Sequence, residues 1–312
     1  MKKKLIDEQS PTFNALGAPS ESVAPGENND GAISFEPTRF NINDHSDDTT
    51  SKKVKSTTNT TNELRIFLPH INDNLDKSWI PPDVTRSYRD SLQLVTLAAL
   101  NGNSTPEPNH EDKYVIGSSN YAVKLKSGKI LEVNARKATT PIWMETWIKT
   151  KFGKKNLSDH KPEVMDALKS AGHTEVAHDH IDSPKFLSVI KSKNAWKVKD
   201  IAIEVVELSI PVRSDNCVEV KRTKWLSIAV QGEHKAIEEF ILHSHSAKDL
   251  WKCFTIAKRI YSQNPTQALS TDFVPVVSGY PLWLRLCANL VDQQEAEKEV
   301  IPNMEALIHF LK

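Results

Sequence analysis

Residues 120–137 read NYAVKLKSGKILEVNARK, and this stretch decides the fold. Apolar and polar residues alternate on both sides of its central Ser-Gly, as they do in two strands joined by a tight turn. A two-residue loop would mix polar and apolar side chains on both faces of the hairpin. A three-residue loop over residues 127–129 instead pairs Leu125 with Leu131 and Val123 with Val133. Only this loop separates the two faces, so we predict an antiparallel hairpin with one apolar face.

The opposite face of the predicted hairpin is strongly charged. It carries Lys124, Lys126, Glu132, Asn134 and Arg136. Such a face is either the solvated side of a half-buried sheet or the inner wall of a polar barrel. The sequence leaves both interpretations open, and the function depends on which of them is correct.

The composition indicates a soluble globular protein with a polar appendage. The chain has 312 residues, enough for one large or two ordinary domains, and its formal net charge is zero. This balance argues against nucleic acid and membrane surfaces as general partners. Three widely spaced cysteines, Cys217, Cys253 and Cys287, suit a reducing compartment. Since no signal-peptide core or spanning apolar run is present, we expect a cytoplasmic protein. The basic patch at residues 52–55 keeps a nuclear location open.

The first 60 residues differ in composition from the rest of the chain. They are rich in Ser, Thr, Asn, Pro and acidic residues and contain no Trp. Such a segment cannot offset an ordering entropy of roughly 1–2 kcal/mol per residue, so we predict a disordered tail over residues 1–60. A small apolar island at residues 35–42 is a candidate docking peptide. We assign residues 61–245 to a sheet domain with inserted helices and residues 246–312 to a C-terminal helical region packed on it.

Strand patterns dominate the first part of the folded region, and helical patterns dominate the last part. Besides the hairpin, strands are predicted over residues 63–69, 113–117, 196–210 and 225–232, with a turn at residues 222–224. Helices are predicted over residues 84–100, 142–151, 158–168, 183–190, 234–242, 247–262, 280–291 and 294–311. This grouping favours an α+β fold with a curved, mostly antiparallel sheet that is either open or a barrel, and a helical C-terminal region.

Two of the predicted helices depend on specific local signals. Trp143 and Trp147 are four residues apart, a spacing that places both on one helical face. Ser183 followed by Pro184 is typical of an N-cap and the first helical position.

Familiar catalytic motifs are missing from the sequence. It contains no P-loop, Rossmann glycine triplet, nucleophile elbow or zincin helix. His178 and His180 form the nearest metal-like group, and we interpret them as structural. The polar sides of the strands are more informative, because basic groups neutralise phosphate oxygens and carboxylates hold Mg²⁺ or Mn²⁺. Strands that line a cavity with both would form a site for a polyanion and a divalent cation.

The order of these elements resembles the CYTH superfamily, the triphosphate tunnel metalloenzymes. The resemblance covers roughly residues 61–245 and includes the hairpin with Lys-x-Lys and Glu-x-x-x-Arg, followed later by VEVKR at residues 218–222. In that family the first strand carries Glu-x-Glu-x-Lys, whereas this chain has Glu63, Arg65 and Phe67 at the corresponding positions. The resemblance implies a barrel that binds a triphosphate together with a divalent cation.

The resemblance and the charged face together define a candidate site. The positions that match the family are Glu63, Lys124, Arg136, Glu219 and Lys221. We assign Lys124, Lys126, Arg136 and Lys221 to ligand binding, and Glu63, Glu132 and Glu219 to a Mg²⁺ or Mn²⁺ ion.

We therefore predict that the concave face of the sheet binds a phosphate-rich ligand such as polyphosphate or a nucleotide, with hydrolysis left open. The alternative is a non-catalytic interaction module that contacts a protein partner through the tail or the C-terminal helices. The direction of the Lys124 and Arg136 side chains would discriminate between the two.

Overall fold

The strands of the chain close into an antiparallel barrel. A computed structural model describes residues 56–70, 79–100, 107–139, 143–154, 156–173, 178–212, 221–244, 247–270 and 273–312. Residues 1–55 of the predicted tail, with their apolar island and basic patch, lie outside the described residues. The first strand begins at Thr57, so residues 57–60, which the sequence assigned to the tail, belong to the barrel.

Eight strands form the barrel within the described ranges. They are β1 (Thr57–Pro69), β2 (His110–Val115), β3 (Tyr121–Lys126), β4 (Ile130–Thr139), β5 (Glu145–Lys154), β6 (Phe186–Val198), β7 (Ile201–Val212) and β8 (Lys221–Gln231). Neighbouring strands pair in the order β5-β4-β3-β2-β6-β7-β8-β1. The long β1 closes the ring, because its first half pairs with β5 and its second half with β8. A short strand, β9 (Val276–Val277), adds to β1.

Helices follow and interrupt the strands. They are α1 (Pro82–Leu100), α2 (Lys161–Ser170), α3 (His178–Asp182), α4 (His234–Leu242), α5 (Ala247–Gln263), α6 (Pro265–Ser270), α7 (Tyr280–Cys287), α8 (Gln293–Glu295) and α9 (Ile301–Phe310). A π-helical turn, Ala296–Val300, joins the last two. The predicted α+β class, with its antiparallel sheet and helical C-terminal region, is confirmed, and the sheet is the closed form.

The hairpin of β3 and β4 has the predicted register. Leu125 pairs with Leu131, and Lys124 pairs with Glu132. Ser127 and Gly128 both adopt the left-handed conformation, with φ of 50° and 66°, which the three-residue loop requires. The side chains of Lys124 and Glu132 are only 14% and 7% exposed, so the charged face is the inner wall of a barrel.

Alternation along β1 shows how the barrel separates its two surfaces. Leu64, Ile66 and Leu68 face outward and are fully buried in a core that includes residues of α1, α4 and α5. Glu63 and Arg65, on either side of Leu64 in the strand, face the barrel interior and are also buried. β1 is therefore covered on both faces. Helices pack on its outer face, and side chains of the other strands pack on its inner face.

Two predicted helices are strands in the structure. Residues 142–151 fall largely in β5, which pairs with both β1 and β4, and residues 183–190 run into β6, which pairs with β2 and β7. Trp143 does not share a helical face with Trp147, because it precedes the strand with φ of 59°. The local signals were outweighed by partners distant in sequence, since each segment completes the hydrogen bonding of two neighbouring strands.

The predicted boundaries between β6, β7 and β8 were also partly wrong. The run predicted over residues 196–210 is divided by a turn at Lys199, whose φ is 53°. Residues 222–224, predicted as a turn, belong to β8 and pair with the end of β7. The connection between those strands falls in residues 213–220, outside the described part of the chain.

No helix in the described part of the chain is both long enough and apolar enough to cross a membrane.

The packing inside the barrel predicts a large loss of stability for Trp225→Ala. Trp225 is 1% exposed and its ring meets the edge of Trp283, so truncation leaves a cavity among residues that cannot collapse into it. We expect the free energy of unfolding in urea to fall by about 3–5 kcal/mol. Leu242→Ala, at a 48% exposed position of α4, is the control and should cost less than about 1 kcal/mol. Equal losses for both variants would contradict this packing.

Candidate ligand-binding site

A polar cavity of about 120 Å³ occupies part of the barrel interior. Six cationic side chains of the described residues line it, namely Arg65, Lys124, Lys126, Lys149, Lys191 and Lys193. Five carboxylates accompany them, namely Glu63, Glu107, Asp112, Glu132 and Glu204. These side chains converge because alternate residues of a strand point to the same face, and the barrel turns that face inward. The volume is sufficient for several water molecules or a small anion.

The interior beyond the cavity is filled by aromatic side chains. Phe67 and Trp225 continue the inward-facing rows of β1 and β8, and Trp283 of α7 stacks on Phe67 with ring centroids 4.7 Å apart. Tyr280, at the start of α7, lies between this apolar plug and the cavity and also stacks on Tyr114. The cavity is therefore closed at the α7 end and forms a pocket rather than a through-channel.

Glu145 fixes the segment that closes the cavity. Its carboxylate accepts hydrogen bonds from the Gly279 backbone N–H at 2.6 Å, the Ser278 hydroxyl at 3.0 Å and Arg136 at 3.1 Å. A Cβ atom at Gly279 would overlap the indole ring of Trp147, so the backbone approaches this closely only because the residue is glycine. Burial raises the pKa of Glu145, although Arg136 opposes the change.

The deepest charges form a network around Arg65. Its Nε donates to Glu63 at 2.7 Å, and its Nη2 donates to Glu204 at 2.9 Å. The third bond goes from Nη1 to the Ser227 hydroxyl at 3.1 Å, and the guanidinium lies over the Tyr280 ring, 4.7 Å from its centroid. The Arg65 side chain is only 4% exposed. A single guanidinium therefore joins the buried carboxylate of Glu63 to the half-buried carboxylate of Glu204.

Lysines complete the coordination of these two carboxylates. Lys193 lies 2.8 Å from Glu204, and Lys149 lies 3.4 Å from Glu63. Burial by itself would raise the pKa of Glu63, but Arg65 and Lys149 outweigh it and lower the pKa to about 2. Burial is likewise overcome at Glu204, where Arg65 and Lys193 hold the pKa well below its usual value. Both groups are thus held as carboxylates by their cationic neighbours.

Two further ion pairs line the opposite wall. Lys191 lies 3.0 Å from Asp112 and donates to the Tyr114 hydroxyl. Lys124 lies 2.9 Å from Glu132. Burial opposes charge at Asp112, but Lys191 and Lys124 lower its pKa. These acids, like those around Arg65, already have cationic partners.

Lys126 is different from the other cavity cations. Among the described residues, no carboxylate lies within ion-pair distance of its ammonium group, although the side chain lines the cavity. Burial, and then the positive charges of Lys124 and Lys193, lower the pKa of Lys126, although Glu132 and Asp112 oppose the change. The described lining of the cavity therefore has one more cation than it has carboxylates.

The structure places the sequence-predicted site residues in three groups. Lys124, Lys126, Glu63 and Glu132 line the cavity together. Arg136 pairs with Glu145 and Asn120 and contributes to the anchor of α7 rather than to the cavity lining. Lys221 begins β8, ten residues and about 30 Å from the cavity residue Gln231, and Glu219 lies outside the described residues.

Several cavity residues were not selected from the sequence. Lys149 on β5 was missed because its segment was predicted as a helix, which obscures the alternation. Lys191 and Lys193 on β6 were missed because they lie between the helix predicted to end at residue 190 and the strand predicted to begin at residue 196. Asp112 was missed because the strand predicted at residues 113–117 began three residues too late. Once these segments are correctly assigned as strands, the charged residues at every second position identify the face that lines the cavity.

The carboxylates of the cavity do not fit a divalent cation. Mg²⁺ and Mn²⁺ require oxygen ligands free to approach at about 2.0–2.6 Å. Here guanidinium and ammonium nitrogens occupy oxygens of four of the five carboxylates in the described lining, with Arg65 placed between Glu63 and Glu204. No three Asp, Glu, His or Cys side chains of the described residues converge as a metal site would require.

Comparisons with known proteins identify structural neighbours but no family model. No protein-family model matches the chain, and a search of curated proteins found no match. A candidate adenylate cyclase from Bacillus halodurans aligns over 57% of this chain and 84% of its own, with 10% identity and a TM-score of 0.30. A candidate adenylyl cyclase from Hippeastrum, reported to have a dominant triphosphatase activity, aligns over 73% and 96%, with 10% identity and a TM-score of 0.27. The RNA triphosphatase of S. pombe, solved with the Spt5 CTD, aligns over 66% and 80%, with 8% identity and a TM-score of 0.19.

The network around Arg65 predicts a strong effect of Arg65→Met on stability. The variant leaves the buried Glu63 and the half-buried Glu204 without their shared cation, and breaking a buried ion pair such as Arg65–Glu63 costs about 3–5 kcal/mol. Lys235→Met is the matched control, because Lys235 is 86% exposed and its pair with Glu239 lies on the surface. Urea denaturation should show a loss for R65M that far exceeds that of K235M, and similar losses would contradict the network.

The lowered pKa of Glu63 predicts a loss of stability in acid. Since the pKa is about 2 in the fold and 4.5 in the unfolded chain, its contribution is fully present above pH 4.5 and decreases as pH falls towards 2. Between pH 5 and pH 3 this group should contribute a decrease of about 2 kcal/mol in the free energy of unfolding. Glu63→Gln cannot titrate, so its stability should decrease less over the same interval. Parallel pH profiles for wild type and E63Q would contradict the assignment.

Proposed function

We propose that the polar cavity binds a phosphate-bearing anion and that the chain is a divergent member of the triphosphate tunnel group. The observation that carries the proposal is Lys126, a cation that lines the cavity with no carboxylate of the described residues within ion-pair distance, although Glu132 and Asp112 lie near enough to act on it electrostatically. An anion placed beside Lys126 would relieve the repulsion from Lys124 and Lys193, because an opposite charge favours the protonated ammonium.

The remaining lysines can contribute hydrogen bonds to the same anion. An ammonium group has three N–H donors, and each ion pair in the cavity uses one or two of them. Lys124, Lys149, Lys191 and Lys193 project from three strands around one volume, so their unused donors can surround a tetrahedral oxyanion. Charge-assisted bonds of this kind are stronger than neutral ones.

The shape of the cavity limits how a ligand enters. Tyr280 and the aromatic plug behind it close one end, so a chain of phosphates cannot pass through the barrel. A ligand would insert one terminal phosphate group and leave its remainder towards the mouth. Orthophosphate, short polyphosphates and the terminal phosphate of a nucleotide meet this requirement.

Binding, rather than hydrolysis, is the function that the charges favour. A general base needs an unpaired basic group near its proton. Glu63, Asp112 and Glu204 are each held by cations that lower their pKa values, which makes them weak bases. The proposal therefore includes no hydrolytic step.

Isothermal titration calorimetry tests this function on the full chain in low-salt buffer containing EDTA. Orthophosphate, pyrophosphate, tripolyphosphate and ATP are titrated separately into the wild type and two variants. Lys126→Ala should weaken binding at least ten-fold, because it removes the unpaired cation. Lys129→Ala is the matched control, an exposed lysine in the turn of the same hairpin, and should change affinity less than two-fold.

A lack of phosphate binding by the wild type would overturn the proposal. If none of the four ligands binds the wild type at millimolar concentration, the cavity is a structural ion-pair core. The interaction-module alternative would then be the better interpretation. Equal weakening in K126A and K129A would indicate non-specific attraction and would also contradict a defined site.

A further inference from the structure

We infer that the Arg65 guanidinium takes the place of a divalent cation in this barrel, so that the cavity binds its anion without a metal ion. That the cavity binds an anion rests on the function proposed above. That Arg65 excludes a metal ion can be tested without any anion. The inference assigns Arg65 as a permanent component of the site.

The geometry of Arg65 is that of a cation bridging two acids. Its Nε and Nη2 atoms contact Glu63 and Glu204 at 2.7 and 2.9 Å, so one planar group joins carboxylates from β1 and β7. A metal ion bound between the same oxygens would have to displace these nitrogens. Ser227 and the ring of Tyr280 hold the guanidinium from its other sides.

The displacement of Arg65 by a metal ion is energetically unfavourable. A guanidinium is not deprotonated in proteins, so it cannot be neutralised to make room. Its side chain is 4% exposed, and moving it off the two carboxylates would leave a buried charge unpaired. A divalent cation in the same place would add two positive charges to a wall already occupied by Lys149 and Lys193.

Four of the five carboxylates in the described lining are already paired with cations, and this pairing also defines the form of the ligand. In solution Mg²⁺ binds the oxygens of polyphosphates and neutralises part of their charge. The ammonium groups of the cavity compete with Mg²⁺ for the same phosphate oxygens. The site should therefore select phosphate groups in their metal-free form, and Mg²⁺ should act as a competitor for the ligand.

The first measurement compares tripolyphosphate binding by the wild type in EDTA and in excess Mg²⁺. We expect binding in EDTA and at least five-fold weaker apparent affinity in Mg²⁺. Binding that requires Mg²⁺ would overturn the metal-free inference while leaving the proposed function intact. A complete lack of binding in both buffers would contradict the proposed function, and the metal question would be decided by the next measurement.

The second measurement uses Mn²⁺ alone and needs no phosphate. Electron paramagnetic resonance of titrated Mn²⁺ should show no stoichiometric binding to the wild type. In Arg65→Glu the introduced carboxylate joins Glu63 and Glu204, so we expect one bound Mn²⁺ per chain and a rise in melting temperature with Mn²⁺. Arg65→Met, which adds no oxygen ligand, is the control and should bind Mn²⁺ at least ten-fold more weakly than R65E.

Each outcome of the Mn²⁺ experiment bears on the inference. Stoichiometric Mn²⁺ binding by the wild type would overturn it, whatever the behaviour of the variants. A folded R65E, verified by circular dichroism, that binds Mn²⁺ no better than the wild type would also overturn it. If R65E folds only in the presence of Mn²⁺, the rescue itself supports exchange of one cation for the other.

Discussion

The rest of the structure depends on the neutralisation of charges inside a closed barrel. Closure forces the inward-facing residues of all neighbouring strands into one small volume, where an unpaired charge is costly. Arg65 meets this constraint by joining Glu63 and Glu204, and lysines from other strands neutralise the oxygens that remain. Because all of these pairs except Arg65–Glu63, which lie together on β1, join different strands, the network also fixes how those strands are placed around the interior.

The C-terminal region determines what the barrel can do. α7 places Trp283 against Phe67 and Tyr280 beside Arg65, which turns one end of the interior into a solid core. Glu145 holds the start of this helix through Gly279, so the floor of the cavity is fixed to β5. The cavity that remains is a pocket whose described lining has cations in slight excess, and this excess is the physical basis for proposing an anionic ligand.

The sequence by itself determined the local parts of this architecture. The alternation of residues 120–137 specified the hairpin register, because a slip of one residue would have moved charged side chains into the apolar face. The same logic identified β1 and the outward-facing residues of β8. Strong 3.6-residue periodicity identified α4 and α5, whose apolar stripes need only a hydrophobic surface to pack on.

Only the tertiary structure decided whether the charged face met water or another charged face. A period of two is the same on an open sheet and in a barrel, and closure depends on the pairing of β1 with β5, about 90 residues apart in the chain. β5 and the start of β6 were mistaken for helices for the same reason, since their stability comes from distant partners. The cavity followed from closure, because Lys149, Lys191 and Lys193 become neighbours of Lys124 only when the ring is complete.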